Sequence, residues 1–418
     1  GWQSLVTVTG DGNENVTGVD VNSSGGLVIS GWFDGSFAQV GLQNFTSNGG
    51  EDMFFAGISN SGVWSWSTHY GNSGDERAND IVWGPSNKFV AVGEFDSASL
   101  QFNSSTVSHG GGTGKDSIVL RSTDQAVEWV RKPIYTKEDK ATHITIDSIG
   151  NTFVGGKYST GNSMTWGAVT AGCYGGSFGF YVTKISTAGT VGWAQYYCST
   201  YNNGYSQYHA ELTSLNLSGS TLLVGSENTY SIRSYGSNSW SSCGNSNNNY
   251  MSTTILRLSA STANYNDCFT AYDTSVRGAV YQQQSSKMIT ILDRHGKSSS
   301  TNANADLITD SPAVMIVNSS SIGNNLQWQT SIGGAGKDVV FGLDVSATSG
   351  ITTVGGMMQS HSLRMGNHIL HGGDNPEGEG GAYFISRTDS NGNWLSGGTA
   401  PFAKKWTNSN NVDWYQGD

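Results

Sequence analysis

The sequence predicts an all-β protein built from repeated four-stranded antiparallel sheets. Short runs of alternating apolar residues recur along the chain, and clusters of Gly, Ser, Asn and Asp separate them, which is the pattern of strands joined by tight turns. Sustained apolar residues at i, i+3, i+4 and i+7, which would indicate helices, are absent. The stretch from Asp147 to Trp193 shows the strand design most clearly.

Tryptophan gives the period of the repeat. Trp2, Trp66, Trp129 and Trp193 follow one another at intervals of 63 or 64 residues, and Trp328 and Trp394 are 66 residues apart. The gap between Trp193 and Trp328 is long enough for two units. We therefore expect a unit without its Trp, with the missing residue near Ala263.

Each interval carries the same order of four strands, the last of which contains the Trp. The first strands are predicted at 16–21, 78–83, 141–146, 212–217, 278–281 and 340–345. The second strands are predicted at 27–31, 89–93, 153–156, 222–225, 288–292 and 351–355. The third strands begin near residues 52, 116, 178, 253, 313 and 382. One four-stranded sheet per repeat is the design of a β-propeller blade, with the extra length in long loops between the second and third strands.

The third unit resembles a known repeat. Asp147, Gly150 and Asn151 precede an apolar strand that ends in Gly, and an aromatic-rich strand is followed by Gly189 and Trp193. This order is similar to the seven-bladed β-propeller repeat family; the first, second and sixth units follow it less closely, and the fourth and fifth least. The resemblance implies a propeller of about six to seven four-stranded blades, common in secreted or surface proteins, and it brings no catalytic residues.

The repeats divide the chain into a single predicted domain. We place their boundaries near 10–70, 71–136, 137–201, 202–271, 272–332 and 333–401 within a domain spanning 1–401. The strand of residues 1–9 is surplus to these units, and residues 402–418 form a C-terminal tail. Either the two ends close the ring together, or one of them adds to an edge strand of another copy.

The four cysteines form two pairs with equal spacing. Cys173 and Cys198 are 25 residues apart, as are Cys243 and Cys268. In each pair the first residue precedes a third strand and the second ends a fourth strand, so each pair would close the open end of a hairpin. We predict two disulfides, with free buried thiols as the alternative. Disulfides would place the protein in an oxidising, extracellular compartment.

Composition limits the classes of partner that the protein is expected to bind. The formal net charge is −11, and the 21 basic residues form no cluster, which disfavours nucleic acid and anionic membrane surfaces. No apolar run approaches the roughly 20 residues of a membrane span. The sequence starts at Gly1 without a leader, as expected of a processed or a trimmed chain. Acceptor triplets predict N-glycosylation at Asn15, Asn22, Asn44, Asn103, Asn216 and Asn318.

Candidate sites for chemistry are sparse. His361, His368 and His371 lie close together but lack the further ligands of a zinc site, and surface histidines are the alternative. Residues 11–15 and 389–393 alternate oxygen side chains as calcium loops do, but such residues also build turns. The acidic loop at Asp374, Glu377 and Glu379 is interpreted as solvated. No cofactor or metal is predicted.

The sequence therefore predicts a non-enzymatic extracellular structural or adhesive glycoprotein, in which strand exchange at the termini would make the protein the subunit of a surface filament. The alternative is a carbohydrate-binding lectin or a glycoside hydrolase that uses the propeller face. In that alternative, a group of tyrosines could stack on sugars: Tyr196, Tyr197, Tyr201, Tyr205 and Tyr208.

Overall fold

A computed structural model of the chain confirms the all-β class. It describes residues 6–103, 105–112, 114–124, 126–173, 178–201, 206–238, 240–243, 252–272, 274–282, 287–294, 314–319, 326–333, 339–346, 349–358, 362–365, 368–371, 382–395 and 403–406. Within these ranges the only helical segment is the 3-10 turn Pro85–Asn87. A bilayer-spanning helix is not found in the described part of the chain.

Thirty-six strands are described in chain order. The first thirteen are β1 (Val8–Gly10), β2 (Glu14–Val21), β3 (Leu27–Phe33), β4 (Ala38–Val40), β5 (Gln43–Phe45), β6 (Asp52–Ile58), β7 (Trp64–Tyr70), β8 (Glu76–Gly84), β9 (Lys88–Phe95), β10 (Ser99–Phe102), β11 (Ser105–Ser108), β12 (Asp116–Ser122) and β13 (Val127–Arg131). The next thirteen are β14 (Asp139–Ile146), β15 (Thr152–Ser159), β16 (Met164–Trp166), β17 (Val169–Ala171), β18 (Phe178–Ile185), β19 (Val191–Tyr201), β20 (Ser206–Tyr208), β21 (Ala210–Ser218), β22 (Thr221–Asn228), β23 (Ser231–Gly236), β24 (Trp240–Cys243), β25 (Ser252–Ser259) and β26 (Tyr265–Tyr272). The last ten are β27 (Thr274–Gln282), β28 (Lys287–Arg294), β29 (Val314–Ser319), β30 (Leu326–Gly333), β31 (Val339–Val345), β32 (Thr352–Met358), β33 (Ser362–Met365), β34 (His368–His371), β35 (Ala382–Thr388) and β36 (Ala403–Trp406).

Six four-stranded antiparallel sheets recur among the described residues, which is the predicted blade design of a β-propeller repeat fold. Their strands, in the order first to fourth, are β2-β3-β6-β7, β8-β9-β12-β13, β14-β15-β18-β19, β21-β22-β25-β26, β27-β28-β29-β30 and β31-β32-β35-β36. The sixth sheet differs from the prediction in its last strand. Trp394 makes only an isolated bridge with Thr388, whereas β36, from the predicted tail, pairs with β35.

In the first four repeats and the sixth, the described parts of the long segments between second and third strands fold into short hairpins rather than loops. We call β4–β5, β10–β11, β16–β17, β23–β24 and β33–β34 the accessory hairpins. The sequence prediction missed them because their strands are only three to six residues long, too short to show a period.

The chain forms two compact units. The first comprises Gly1–Leu212 with Arg233–Ser241, and the second comprises Thr213–Ile232 with Ser242–Asp418. In the first unit, apolar clusters form where neighbouring sheets pack face to face, for example where Val28 and Phe55 of the first repeat meet Ile81 and Phe89 of the second. In the second unit, Ile291 of the fifth repeat shares a cluster with Val354 and Phe384 of the sixth. Packing between repeats therefore supplies much of the core.

A bulge in the first strand helps to couple successive repeats. The register shifts between Val16 and Gly18 and, in the next repeat, between Ala78 and Asp80. The bulged Thr17 donates from Oγ1 to the Ala78 carbonyl at 2.6 Å. The bulged Asn79 likewise donates from Nδ2 to the Ala141 carbonyl of the third repeat at 2.9 Å. An irregularity in one sheet thus supplies a hydrogen bond to the next.

The periodic Trp has a structural role that explains its spacing. Trp129 donates from Nε1 to the Thr187 carbonyl, at 3.0 Å, in the tight turn between third and fourth strands of the following repeat. Trp328 makes the same bond to the Ser390 carbonyl at 3.2 Å. In both turns a glycine with positive φ, Gly189 or Gly392, lies against the indole. Each such Trp therefore connects its own repeat to the next through a hydrogen bond and a packing contact.

The predicted position of the missing Trp was wrong. Ala263 lies in the corresponding turn of the fourth repeat, where its φ of 59° and its hydrogen bond to the Ser259 carbonyl match the turn glycines. In the third repeat Trp193 pairs with Lys184, and in the fourth repeat Asp267 pairs with Arg257 at the same rung. Asp267 therefore replaces the Trp, and it forms an ion pair with Arg257.

We expect Gly189→Ala to destabilise the protein by about 2 kcal/mol. The φ of 79° costs an alanine roughly 1 kcal/mol, and an added Cβ would lie 2.7 Å from Nη2 of Arg131 and 3.1 Å from the Trp129 ring. The free energy of unfolding in urea measures this effect. The matched control is Gly192→Ala, whose added Cβ would have no heavy atom nearer than 3.7 Å. Equal losses of unfolding free energy in the two variants would contradict this role of the contact between Gly189 and Trp129.

Candidate functional site

Antiparallel order gives each sheet two chemically different ends. First strands begin, second strands end and third strands begin at one end, where the accessory hairpins also emerge; we call it the hairpin end. The tight turns joining first to second and third to fourth strands form the opposite, turn end.

Buried carboxylates mark the hairpin end. Asp52 and Asp116 start third strands, and Glu76 and Asp139 start first strands; all four are almost completely buried. Burial raises the pKa values of Asp52 and Glu76, although hydrogen bonds from Asn48 and Ser97, respectively, oppose the shift. These acids are held by strand-end and loop donors, which fits a structural role.

Asp139 is the most perturbed of the four. Its burial raises its pKa to about 7, and the charge of Asp116 adds to the effect, while hydrogen bonds from Ser117 and the charge of Lys132 oppose it. Ser117 donates its backbone N–H to Oδ1 of Asp139 at 2.9 Å. Asp116 is held by Lys132 Nζ at 2.9 Å and by the Gly110 N–H at 2.6 Å. Asp139 is therefore a largely desolvated acid at the contact between the second and third repeats.

Ion pairs extend across the same end of the first unit. Lys115 Nζ lies 3.3 Å from Asp75 and 3.7 Å from Glu94, and Lys140 Nζ lies 3.4 Å from Glu94. Lys157 of the third repeat pairs with Glu211 at 3.3 Å. The network links side chains of consecutive repeats, so its charges are already neutralised within the fold.

The structure brings both predicted cysteine pairs together. Cys173 is bonded to Cys198 and Cys243 to Cys268, with Cα atoms 6.0 and 6.3 Å apart. Each bond joins the end of an accessory hairpin to a fourth strand. The expected equivalence of the pairs is wrong, because Cys198 lies five residues beyond the Trp rung and Cys268 lies one beyond it. Both cysteines also lie inside their fourth strands rather than at the ends.

The predicted metal and calcium candidates have structural roles or lie outside the described residues. His361 lies outside, and His368 and His371 belong to β34, where only the backbone of these two residues is described. No metal-like group of His, Cys, Asp or Glu occurs among the side chains that the structure describes. Asp389 accepts the N–H groups of Asn391 and Asn393 at 2.8 and 2.9 Å. It therefore closes a turn rather than offering its oxygens to calcium.

The same turn device occurs in the repeat motif itself. Asp147 accepts from the Asn151 N–H and Nδ2, each at 2.7 Å. In residues 11–15, Asp11 accepts the Phe37 N–H at 2.9 Å and Asn13 donates to Asp34. The recurring Asp and Asn residues are thus explained by turn formation. The acidic loop at Asp374, Glu377 and Glu379 lies outside the described residues.

The tyrosine group does not form an accessible sugar-stacking surface as a whole. Tyr196 and Tyr197 are fully buried, and Tyr197 stacks on Phe180 with ring centroids 4.6 Å apart. Tyr201 and Tyr208 are described only in their backbone, and Tyr205 lies outside the described residues. The two described rings are core residues.

The predicted glycosylation positions differ in exposure. Asn15 and Asn44 are exposed, on β2 and β5. Asn103 is exposed with a φ of 44°, and its Oδ1 accepts the Val127 N–H at 3.2 Å. Asn22 and Asn216 are half-buried, and Asn318 is described only in its backbone. Modification at all six positions remains a prediction.

The accessory hairpins hold the preceding repeat. β33 of the sixth repeat pairs with β30 of the fifth, and β23 of the fourth continues the third sheet beside β19. Ile134, after the fourth strand of the second repeat, pairs with Thr165 of the third-repeat hairpin through bonds of 2.9 and 3.1 Å. No sequence pattern indicates this contact, because it depends on hairpins that the prediction missed.

The described part of the surplus N-terminal strand also pairs with an accessory hairpin. β1 pairs with β4 of the first hairpin, Val8 opposite Val40 and Gly10 opposite Ala38. It therefore occupies the place that a fourth strand of a preceding repeat has elsewhere. Its other edge is unpaired among the described strands.

The first strand of the first repeat presents an uncovered apolar face. Val16, Val19 and Val21 are 49%, 61% and 56% exposed. At the equivalent positions of the second repeat, Ala78 and Ile81 are buried against the first repeat, with 1% and 2% exposure. The sequence could not show this difference, since both strands carry the same apolar pattern. An apolar strip of this kind indicates a contact surface.

Comparisons with known proteins add no functional information. No family model matches the chain, and no curated protein matches it. Among solved structures, it is similar to a structure titled "Structure of Dos1 propeller", with 9% identity and a TM-score of 0.41 over 98% of this chain and 86% of that one. It is also similar to the C-terminal WD40 domain of Sif2, with 9% identity and a TM-score of 0.33 over 82% and 93%. The fold assignment depends on the repeated sheets themselves.

We expect Asp139→Asn to reduce the loss of stability between pH 4 and pH 7. The folded pKa of about 7 is above the unfolded value of about 3.9. The folded state therefore holds a proton that the unfolded state has lost, and Asp139 makes stability fall as pH rises through this window, by at most about 1.4 kcal/mol per pH unit. An asparagine can still accept the Ser117 N–H but does not ionise.

Urea unfolding of the wild type and the variant at pH 4, 5, 6 and 7 measures this difference. The control is Asp124→Asn, at an exposed turn position of the second repeat. Parallel stability curves for wild type and Asp139→Asn would show that Asp139 does not titrate as its burial requires.

Proposed function

We propose that the protein is a non-enzymatic extracellular structural subunit that associates with copies of itself. The observation that carries the proposal is the uncovered face of β2, formed by Val16, Val19 and Val21. In the second repeat, the same face is seated on the sheet of the preceding repeat. A propeller blade would therefore fit the uncovered face of β2, and we propose that a blade of a second copy binds there.

The geometry of such a contact favours a chain of subunits. A first-strand face on one copy and a sheet face on the next are different surfaces, so the contact is heterologous and does not satisfy itself as a twofold dimer does. Heterologous contacts generate closed rings or open filaments. The unpaired edge of β1, beside the hairpin β4–β5, offers a second element for the same contact by strand addition.

Two further observations support this function over an enzymatic one. The buried acids of the first unit accept hydrogen bonds at strand ends, and its ion pairs link consecutive repeats, so these side chains are occupied in the fold. The two disulfides fit an extracellular subunit. The proposal includes that the assembly is a filament, that it carries glycans and that it has an adhesive role.

We expect Val19→Lys to abolish self-association, because a charged side chain at the centre of the contact cannot be desolvated without a partner. Light scattering coupled to size-exclusion chromatography, over a concentration series, measures the mass. The wild-type mass should rise with concentration and the variant should remain monomeric. Electron microscopy of the native assembly shows whether the product is a filament.

Val63→Lys is the matched control for this experiment. Val63 is also 61% exposed, but it lies in the turn between β6 and β7. It should assemble like the wild type. A wild type that stays monomeric at every concentration overturns the proposal. So does a Val19→Lys protein that assembles normally.

A further inference from the structure

A groove at the turn end of the first unit lies beside the uncovered face of β2 and shares Val21 with it. It has a volume of about 400 Å³ and lies between two neighbouring turns, one from Asp20 to Ser24 in the first repeat and one from Trp83 to Asn87 in the second. Its size is within the range of small-molecule sites, roughly 300 to 1,000 Å³. The groove occurs where the regular repeat leaves two different turns side by side.

The walls of the groove are fixed by hydrogen bonds. Asp20 joins the two turns, because its Oδ1 accepts the Val21 N–H at 2.8 Å and its Oδ2 accepts the Trp83 N–H at 2.7 Å. Asn22 Oδ1 accepts the N–H groups of Ser24 and Gly26 at 3.0 and 2.9 Å. The groove is therefore preformed, which lowers the cost of binding.

The second wall carries unusual backbone. Ser86 and Asn87 have φ values of 63° and 59°, and both are non-glycine residues in the left-handed region. Two such residues in succession are uncommon, and conformations of this kind cluster at functional sites. They present two polar side chains, both exposed, on the rim of the groove.

The chemistry of the lining selects a neutral, hydroxyl-rich ligand. Hydroxyl groups come from Ser23, Ser24 and Ser86, and an amide comes from Asn87. The partly exposed Trp83 supplies an aromatic surface, and its buried Nε1 has no hydrogen-bond acceptor among the residues that the structure describes. The ten lining residues include one carboxylate and no lysine or arginine, so an anionic ligand would be repelled. An aromatic ring among several hydroxyl and amide groups matches the apolar and polar faces of a sugar.

We propose that this groove binds carbohydrate, as a neutral sugar residue held between Trp83 and the two turns. The sugar has two possible sources. One is a glycan attached to Asn22, which lines the groove and belongs to an acceptor triplet with Ser24. The other is a glycan from outside the chain. Both present the same chemistry to the groove.

Asn22→Asp separates the two sources without disturbing the turn. The substitution removes the acceptor triplet, and the equivalent turn of the third repeat already uses an aspartate, Asp147, to accept the same kind of N–H bonds. Binding of this variant is measured by saturation-transfer NMR against a panel of neutral mono- and disaccharides. The Val19→Lys background keeps it monomeric, so self-association plays no part in the result.

The expected result is saturable binding by Asn22→Asp of at least one saccharide, weakened about tenfold or more by adding either Ser23→Arg, which fills the groove from an exposed rim position, or Trp83→Phe. Ser148→Arg is the matched control, because Ser148 is the exposed residue at the same point of the third-repeat turn, and it should bind normally. Thermal unfolding checks that the variants fold.

The source is read from the glycosylated Val19→Lys protein that retains Asn22. If it binds no added saccharide while Asn22→Asp does, the Asn22 glycan occupies the groove; if both bind equally, the ligand comes from outside. Either result supports a carbohydrate site. Absence of saturable binding by Asn22→Asp, or equal binding by folded Ser23→Arg, overturns it, and neither outcome affects the assembly proposal.

Discussion

The packing of each first strand on the preceding sheet is the interaction on which the rest of this structure depends. A single four-stranded blade has two apolar faces and cannot bury both alone, so each repeat is stable only with neighbours on either side. In this chain the contact is reinforced by three polar devices: the bulged Thr17 and Asn79, the indole of Trp129 in the next turn, and the accessory hairpins. All act between repeats rather than within them.

This constraint explains how much the sequence could predict. Strands and repeat order were predictable because alternation and the Trp period reflect buried faces, which every repeat needs. The Trp period could not locate the exception in the fourth repeat, because the residue at that position is not a Trp. Asp267 took the Trp position with an ion pair to Arg257, a solution that has no apolar signature.

The candidate sites were less predictable for a different reason. Turn residues such as Asp11 and Asp389 looked like calcium ligands in sequence, whereas their oxygens accept backbone N–H groups of the fold. Conversely, the valines of β2 looked like any core strand, and only their exposure distinguishes them from Ala78 and Ile81. Sequence patterns record which side chains are apolar, but burial depends on what lies opposite, which is a property of the folded chain.

Function in a repeat fold should therefore be sought where one repeat departs from its neighbours. Val19 is exposed, whereas its equivalent in the second repeat, Ile81, is buried. The turn at Asn22 differs from the other turns in what lies next to it, since the adjacent turn has two non-glycine residues in the left-handed region. A purely structural turn would have glycine at such positions. Features shared by all repeats are sufficiently explained by stability, whereas these two carry a cost in exposed apolar surface or in backbone strain. A cost found in only one copy among the described parts of the repeats requires a cause outside the repeated design, and a partner for each surface supplies one.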